Sequence, residues 1–138
     1  VNAILIALVL IGASAAQPDL APVKRVVDDY VGLYRKDSLE RWRELFLPSF
    51  TSISTNADGT VTARSLEEFY QAQRRGFAET KEMGETLENV RIERTGRLAT
   101  AWADFVFHAD GTVRRGRLVL TLIEERGVFR IAGLMFSY

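Results

Sequence analysis

Val26–Phe50 reads VVDDYVGLYRKDSLERWRELFLPSF, and this stretch contains a long helix, a tight turn, a short second helix and the start of a strand. From Asp19 onward, Val23, Val26, Val27, Tyr30, Leu33 and Tyr34 recur at helical spacing and form one apolar stripe, while Lys24, Asp28, Asp29 and Arg35 point elsewhere. Asp37 followed by Glu40 predicts a capping box for the second helix, which carries Leu39, Trp42, Leu45 and Phe46 and is stopped by Pro48. Phe50, Ser52 and Ser54 then alternate with Thr51, Ile53 and Thr55 as a strand.

Outward from there, Asn56-Ala57-Asp58-Gly59 supplies turn chemistry before a short return at Val61, and Ser65 with Glu68 predicts a capping box for a third helix ending near Glu79. The rest of the chain alternates as strands at 85–94, 97–108, 113–124 and 128–138, broken at Thr95-Gly96, Asp110-Gly111 and Arg126-Gly127, which are tight-hairpin signals. A two-residue loop at Asp110-Gly111 pairs Asp104 with Arg117, Trp102 with Val119 and Ala101 with Leu120. One face then holds Ala99, Ala101, Ala103, Phe105, Leu118, Leu120 and Leu122, an apolar surface with small residues in the middle that suits packing under helices around a cavity. The other face holds Trp102, Asp104, Arg117 and Val119. A mixed surface around a Trp predicts a homodimer interface there.

The sequence has 138 residues, 47% hydrophobic and 26% charged, which suits one domain with a real core. Eighteen basic residues balance eighteen acidic ones, so no long-range field attracts nucleic acid or an anionic membrane. Cysteine is absent and His108 is the lone histidine, which excludes disulfides, thiolate metal sites, a cysteine nucleophile and a multi-histidine metal centre. No metal or cofactor is expected. Residues 1–16, VNAILIALVLIGASAA, form an uncharged apolar run ending in small residues and read as a cleaved secretory leader. The run is too short to span a bilayer, so no stable anchor is expected after cleavage, and residues 17–138 form the mature domain. The predicted location is secreted or periplasmic.

The placement of Tyr30 in VVDDYVGLYRKD, the LFLPSF step, the DGTVTARSLEEF helix entry and the closing GVFRIAGLMFSY strand together resemble the nuclear transport factor 2-like superfamily, in its SnoaL-like and ketosteroid isomerase-like branch. The resemblance implies an α+β cone: three N-terminal helices on a strongly bent antiparallel sheet, a pocket at the open end and frequent dimers. It places Tyr30 where the isomerase's oxyanion-binding tyrosine lies. The catalytic base would fall at Ser54 and the second acid within Val119 to Thr121, and neither position holds a carboxylate. Asp104 is the remaining catalytic candidate beside Tyr30, although its register puts it on the face away from the cavity. A ligand pocket would draw on Tyr30, Tyr34, Phe50, Ser54, Tyr70, Phe105, Leu118 and Leu120. The leading expectation is a domain that binds a small apolar or aromatic molecule without catalysis. A SnoaL- or isomerase-type enzyme acting on a carbonyl compound, and a structural dimerisation module, are the alternatives.

Overall fold

The computed structural model describes residues 16–138, so the leader expected over residues 1–16 falls, but for Ala16, outside the described residues. Helices α1 (Ala21–Gly32) and α2 (Leu39–Arg43) precede strands β1 (Phe46–Thr55) and β2 (Val61–Ser65). Helix α3 (Leu66–Glu79) leads into β3 (Met83–Thr95), β4 (Leu98–Ala109), β5 (Thr112–Glu125) and β6 (Val128–Ser137). The strands form one six-stranded sheet in the order β2-β1-β6-β5-β4-β3. Helix α1 packs against both β6 and β3, which two other strands separate, so the sheet curves around it. Among the described residues, no helix is long and apolar enough to cross a membrane.

The architecture is the expected α+β fold on a curved sheet, with two corrections. First, the helices are not three at the N-terminus: α2 is a single five-residue turn, and α3 follows the first hairpin. The Asp37–Glu40 capping box does not form; Ser38 is the N-cap, and its hydroxyl donates to the Leu33 carbonyl at 2.9 Å. The chain leaves α2 early because the Ile131 N–H donates to the Leu45 carbonyl at 2.8 Å, drawing Phe46 into the sheet. Pro48 sits inside β1, in the register shift between Phe46 and Thr51, where a residue without an N–H is tolerated. Second, the sheet is mixed, because β1 runs parallel to β6. No hairpin joins these two strands, so nothing local dictates their relative direction.

The local signals elsewhere are realised in the bonds they imply. The Glu68 N–H donates to Ser65 Oγ at 3.3 Å and the Ser65 N–H to Glu68 Oε2 at 2.8 Å, which satisfies two free donors at the start of α3. Asp110-Gly111 and Arg126-Gly127 both have positive φ at each central position, the geometry whose twist matches paired strands. Asp104 pairs with Arg117, Trp102 with Val119 and Ala101 with Leu120. The inner face of Ala99, Ala101, Ala103, Phe105, Leu118, Leu120 and Leu122 is buried.

Trp42, 1% exposed, is the hub of the core. Its ring centroid lies 4.6 Å from Phe46, 5.7 Å from Phe69 and 5.8 Å from Tyr30, and its indole N–H donates to the Tyr30 carbonyl at 2.8 Å. That bond removes the cost of burying a polar indole and fixes α2 against the end of α1. Each large side chain fully buried in this way contributes roughly 1.5–3 kcal/mol.

Strand β3 contains a bulge that controls what faces inward. Glu88 pairs with Asp104 and Arg91 with Trp102, so Asn89 and Val90 together oppose Ala103. Asn89 carries the left-handed turn at φ 53, a conformation its residue type tolerates, and its amide donates to Asp104 Oδ2 at 2.9 Å. The bulge reverses the alternation: Glu85 and Leu87 lie on the same face as Ile92, whose neighbour Val90 is exposed.

Candidate functional site

A cavity of about 380 Å³ opens between α1, α3 and the inner face of the sheet. Helix α1 supplies Tyr30, β3 supplies Glu85, β4 supplies Phe105 and Phe107, and β5 supplies Arg114 and Leu118. Arg64 of β2, Gln73 of α3, Ser54, Asn56, Phe136 and Tyr138 complete the wall. Phe105 can lie flat on β5 because residue 116 is glycine: a Cβ there would stand 2.5 Å from Phe105 Cζ and 2.3 Å from the Ser137 carbonyl. Phe105, Phe136 and Tyr138 then meet edge to face, with centroids 5.3 to 6.1 Å apart, and form a rigid aromatic wall.

Among the described residues, Glu85 is the one acid in the lining. Its residue surface is partly open to the cavity, yet its Oε1 is inaccessible and no protein group hydrogen-bonds it. Burial pushes the carboxyl up from 4.5 to about 7, and the neighbouring Tyr30 hydroxyl works in the opposite direction. Tyr30 is in turn held well above its ordinary range, first by burial and then by the Glu85 charge and by Tyr34, so it stays a neutral phenol. Tyr34 is raised by burial and by Glu85; its hydroxyl donates to Gln73 Oε1 at 2.5 Å. With its carbonyl so engaged, Gln73 keeps its amide N–H₂ as a donor.

The expectation that no ionisable acid meets the Tyr30 phenol is therefore overturned by Glu85. Alternation counted back from Val90 or Ile92 places Glu85 on the outer face, and the Asn89 bulge brings it inside. An Asn next to a stranded acidic residue was the one available signal, and it is weak.

Of the residues singled out from sequence, Tyr30, Tyr34, Ser54, Phe105 and Leu118 line the cavity. Phe50, Tyr70 and Leu120 do not: Phe50 and Leu120 are filled core, and the Tyr70 hydroxyl points to Glu40 instead. Asp104 lies on the opposite face of the sheet, bonded by Asn89 and by Arg117 Nε at 3.0 Å, and both partners hold its carboxyl below the usual range. His108 is exposed at the Asp110-Gly111 hairpin. Among the described residues, no group of His, Cys, Asp and Glu is arranged to hold a metal ion.

Residues 23–138 match a family model described as a SnoaL-like domain. A search of curated proteins found no significant match. Solved structures are similar over most of the chain. A protein from Kribbella flavida is 13% identical with a TM-score of 0.72, covering 86% of this chain and 89% of that one. A nuclear transport factor 2-like protein of unknown function from Shewanella baltica is 16% identical with a TM-score of 0.65, covering 84% and 90%. A candidate scytalone dehydratase from Novosphingobium aromaticivorans is 12% identical with a TM-score of 0.67, covering 85% and 81%. At these identities the likeness carries the fold alone.

Proposed function

The chain belongs to the SnoaL-like domain family, within the nuclear transport factor 2-like superfamily, and from that premise we propose that it is an acid–base enzyme acting on a small, largely apolar carbonyl compound. The observation that carries this reading is Glu85: a desolvated carboxyl with a partnerless oxygen, at the wall of a cavity, beside a neutral phenol. Leaving such a group buried costs stability, and a carboxyl that titrates near 7 can both take and return a proton at neutral pH. The same reading makes Glu85 the proton carrier. Tyr30 faces it as a neutral phenol, and the free amide of Gln73 donates to the oxygen on which negative charge develops. The base thus comes from β3, across the cavity from Ser54, where the isomerase pattern would put it.

Exchange of α-hydrogen for deuterium in 2-tetralone, followed by proton NMR, tests the reading. The protein should accelerate exchange over buffer, and Glu85→Gln should remove about 10²–10⁴-fold of that acceleration. Equal rates for the two proteins would refute it. Binding without any accelerated exchange would favour the second reading, a non-catalytic carrier, which the apolar walls also support.

Two further proposals concern the surroundings of the site. Ile53, Met135, Val119 and Trp102 are register neighbours along one row of the outer sheet face, and three of them are exposed, which supports a homodimer through that face. Trp102→Glu should shift sedimentation from dimer to monomer; a wild-type monomer would end the idea. The apolar run closing at Ala13–Ala16 supports export to a secreted or periplasmic location, which N-terminal sequencing of the exported protein would check.

A further inference from the structure

Apart from Glu85, the charged groups in the cavity wall are two guanidiniums, those of Arg64 and Arg114. Among the described residues, neither has an acidic partner within salt-bridge distance, although seven other ion pairs form on this chain's surface. Arg114 instead stacks on the Tyr138 ring, 3.5 Å from its centroid, and Arg64 is half-buried at the β2 edge. Arg114 is itself exposed, and a guanidinium that lines a cavity wall without a counter-charge is a place for an anion supplied from outside.

The strand register fixes where that anion would sit relative to Glu85. Glu85 pairs with Phe107, and Phe107 pairs with Arg114, so the three residues form one row across β3, β4 and β5. At about 4.8 Å per strand, the backbones of Glu85 and Arg114 stand about 10 Å apart, with the Phe107 ring between them. Neither guanidinium forms an ion pair with Glu85 among the described residues.

We propose that the molecule bound in this cavity is an aromatic or alicyclic carboxylate, with its anionic group attracted by the guanidiniums of Arg64 and Arg114, its ring lying over Phe107, and its reacting carbon at Glu85. This deepens the acid–base reading and rests on it for the last clause alone. Two features of the site select such a molecule. A guanidinium fork matches a carboxylate, and the aromatic wall gives a compact polar anion such as phosphate nothing to pack against.

Calorimetric titration of the full chain with 2-naphthoate and with the neutral 2-naphthylmethanol tests the anion site. Naphthoate should bind about tenfold or more tightly than the alcohol. Each of Arg64→Gln and Arg114→Gln should lower that preference, and the double variant should bring it close to one while its circular dichroism stays native. Equal binding of the two probes by the wild type, binding of neither, or a preference that survives in the folded double variant would overturn the proposal. Glu85→Gln separates this proposal from the reaction it accompanies. That variant should keep the naphthoate preference while losing tetralone exchange; if exchange persists and the preference still depends on the arginines, the reaction fails and the anion site stands.

Discussion

Replacing Glu85 by Gln keeps the shape of the side chain and removes its titration, so the pH dependence of stability isolates this one carboxyl. In the folded protein it releases its proton at about 7, and in the unfolded chain at about 4.5. Between those values the folded state holds a proton that the unfolded state has lost. Stability contributed by the group is therefore fully present below pH 4.5, falls as pH rises through the window, and is gone above pH 7. At about 1.36 kcal/mol per pH unit, the fall amounts to about 3.4 kcal/mol. Urea unfolding followed by the fluorescence of buried Trp42, on both proteins from pH 4.5 to 8.5, measures it. Other carboxylates cancel in the difference. The Gln variant should gain about 3 kcal/mol on the wild type across the window, with unchanged denaturant slopes. A difference constant to about 0.5 kcal/mol, or one that moves against the Gln variant as pH rises, would refute a desolvated Glu85.

Tyr30→Phe should move the Glu85 titration further up, because the Tyr30 hydroxyl is the neighbour that lowers it; carboxyl ¹³C shifts read this, and an unchanged or lower value would remove Tyr30 from the site. Gly116→Ala should cost about 1–3 kcal/mol in thermal or urea unfolding, since the new methyl group meets the Ser137 carbonyl and the Phe105 ring; a neutral change would mean that the aromatic wall is not fixed by this contact. Asn89→Ala should cost about 1–2 kcal/mol at its positive φ, and Asn89→Gly should recover most of that; equal losses in both would assign the effect to the Asp104 hydrogen bond instead.

Local chemistry was legible wherever one or two residues dictate a geometry. Asp110-Gly111 set the register of β4 on β5, and Ser65 with Glu68 set the start of α3, because turn and cap signals act within four residues. The direction of β1 against β6 was not legible, since that pairing joins residues far apart in sequence with no turn between them to set it. The site divided in the same way. Tyr30 and Tyr34 were found through the helical period, and Ser54 and Phe105 through strand alternation. Glu85 was hidden because a single left-handed Asn89 shifts the count by one, and alternation read across that point assigns every earlier side chain to the wrong face.

The position of β6 has a consequence for synthesis on the ribosome. Among the described residues it is the last of nine elements in chain order, yet it lies in the middle of the sheet, between β1 and β5. Until Val128–Ser137 has left the exit tunnel, the β1–β2 hairpin with α3 and the β3–β5 meander are separate pieces, each with an unpaired backbone edge. Closure of the sheet therefore waits for these ten strand residues, and the two earlier pieces are open to edge-to-edge association until they arrive.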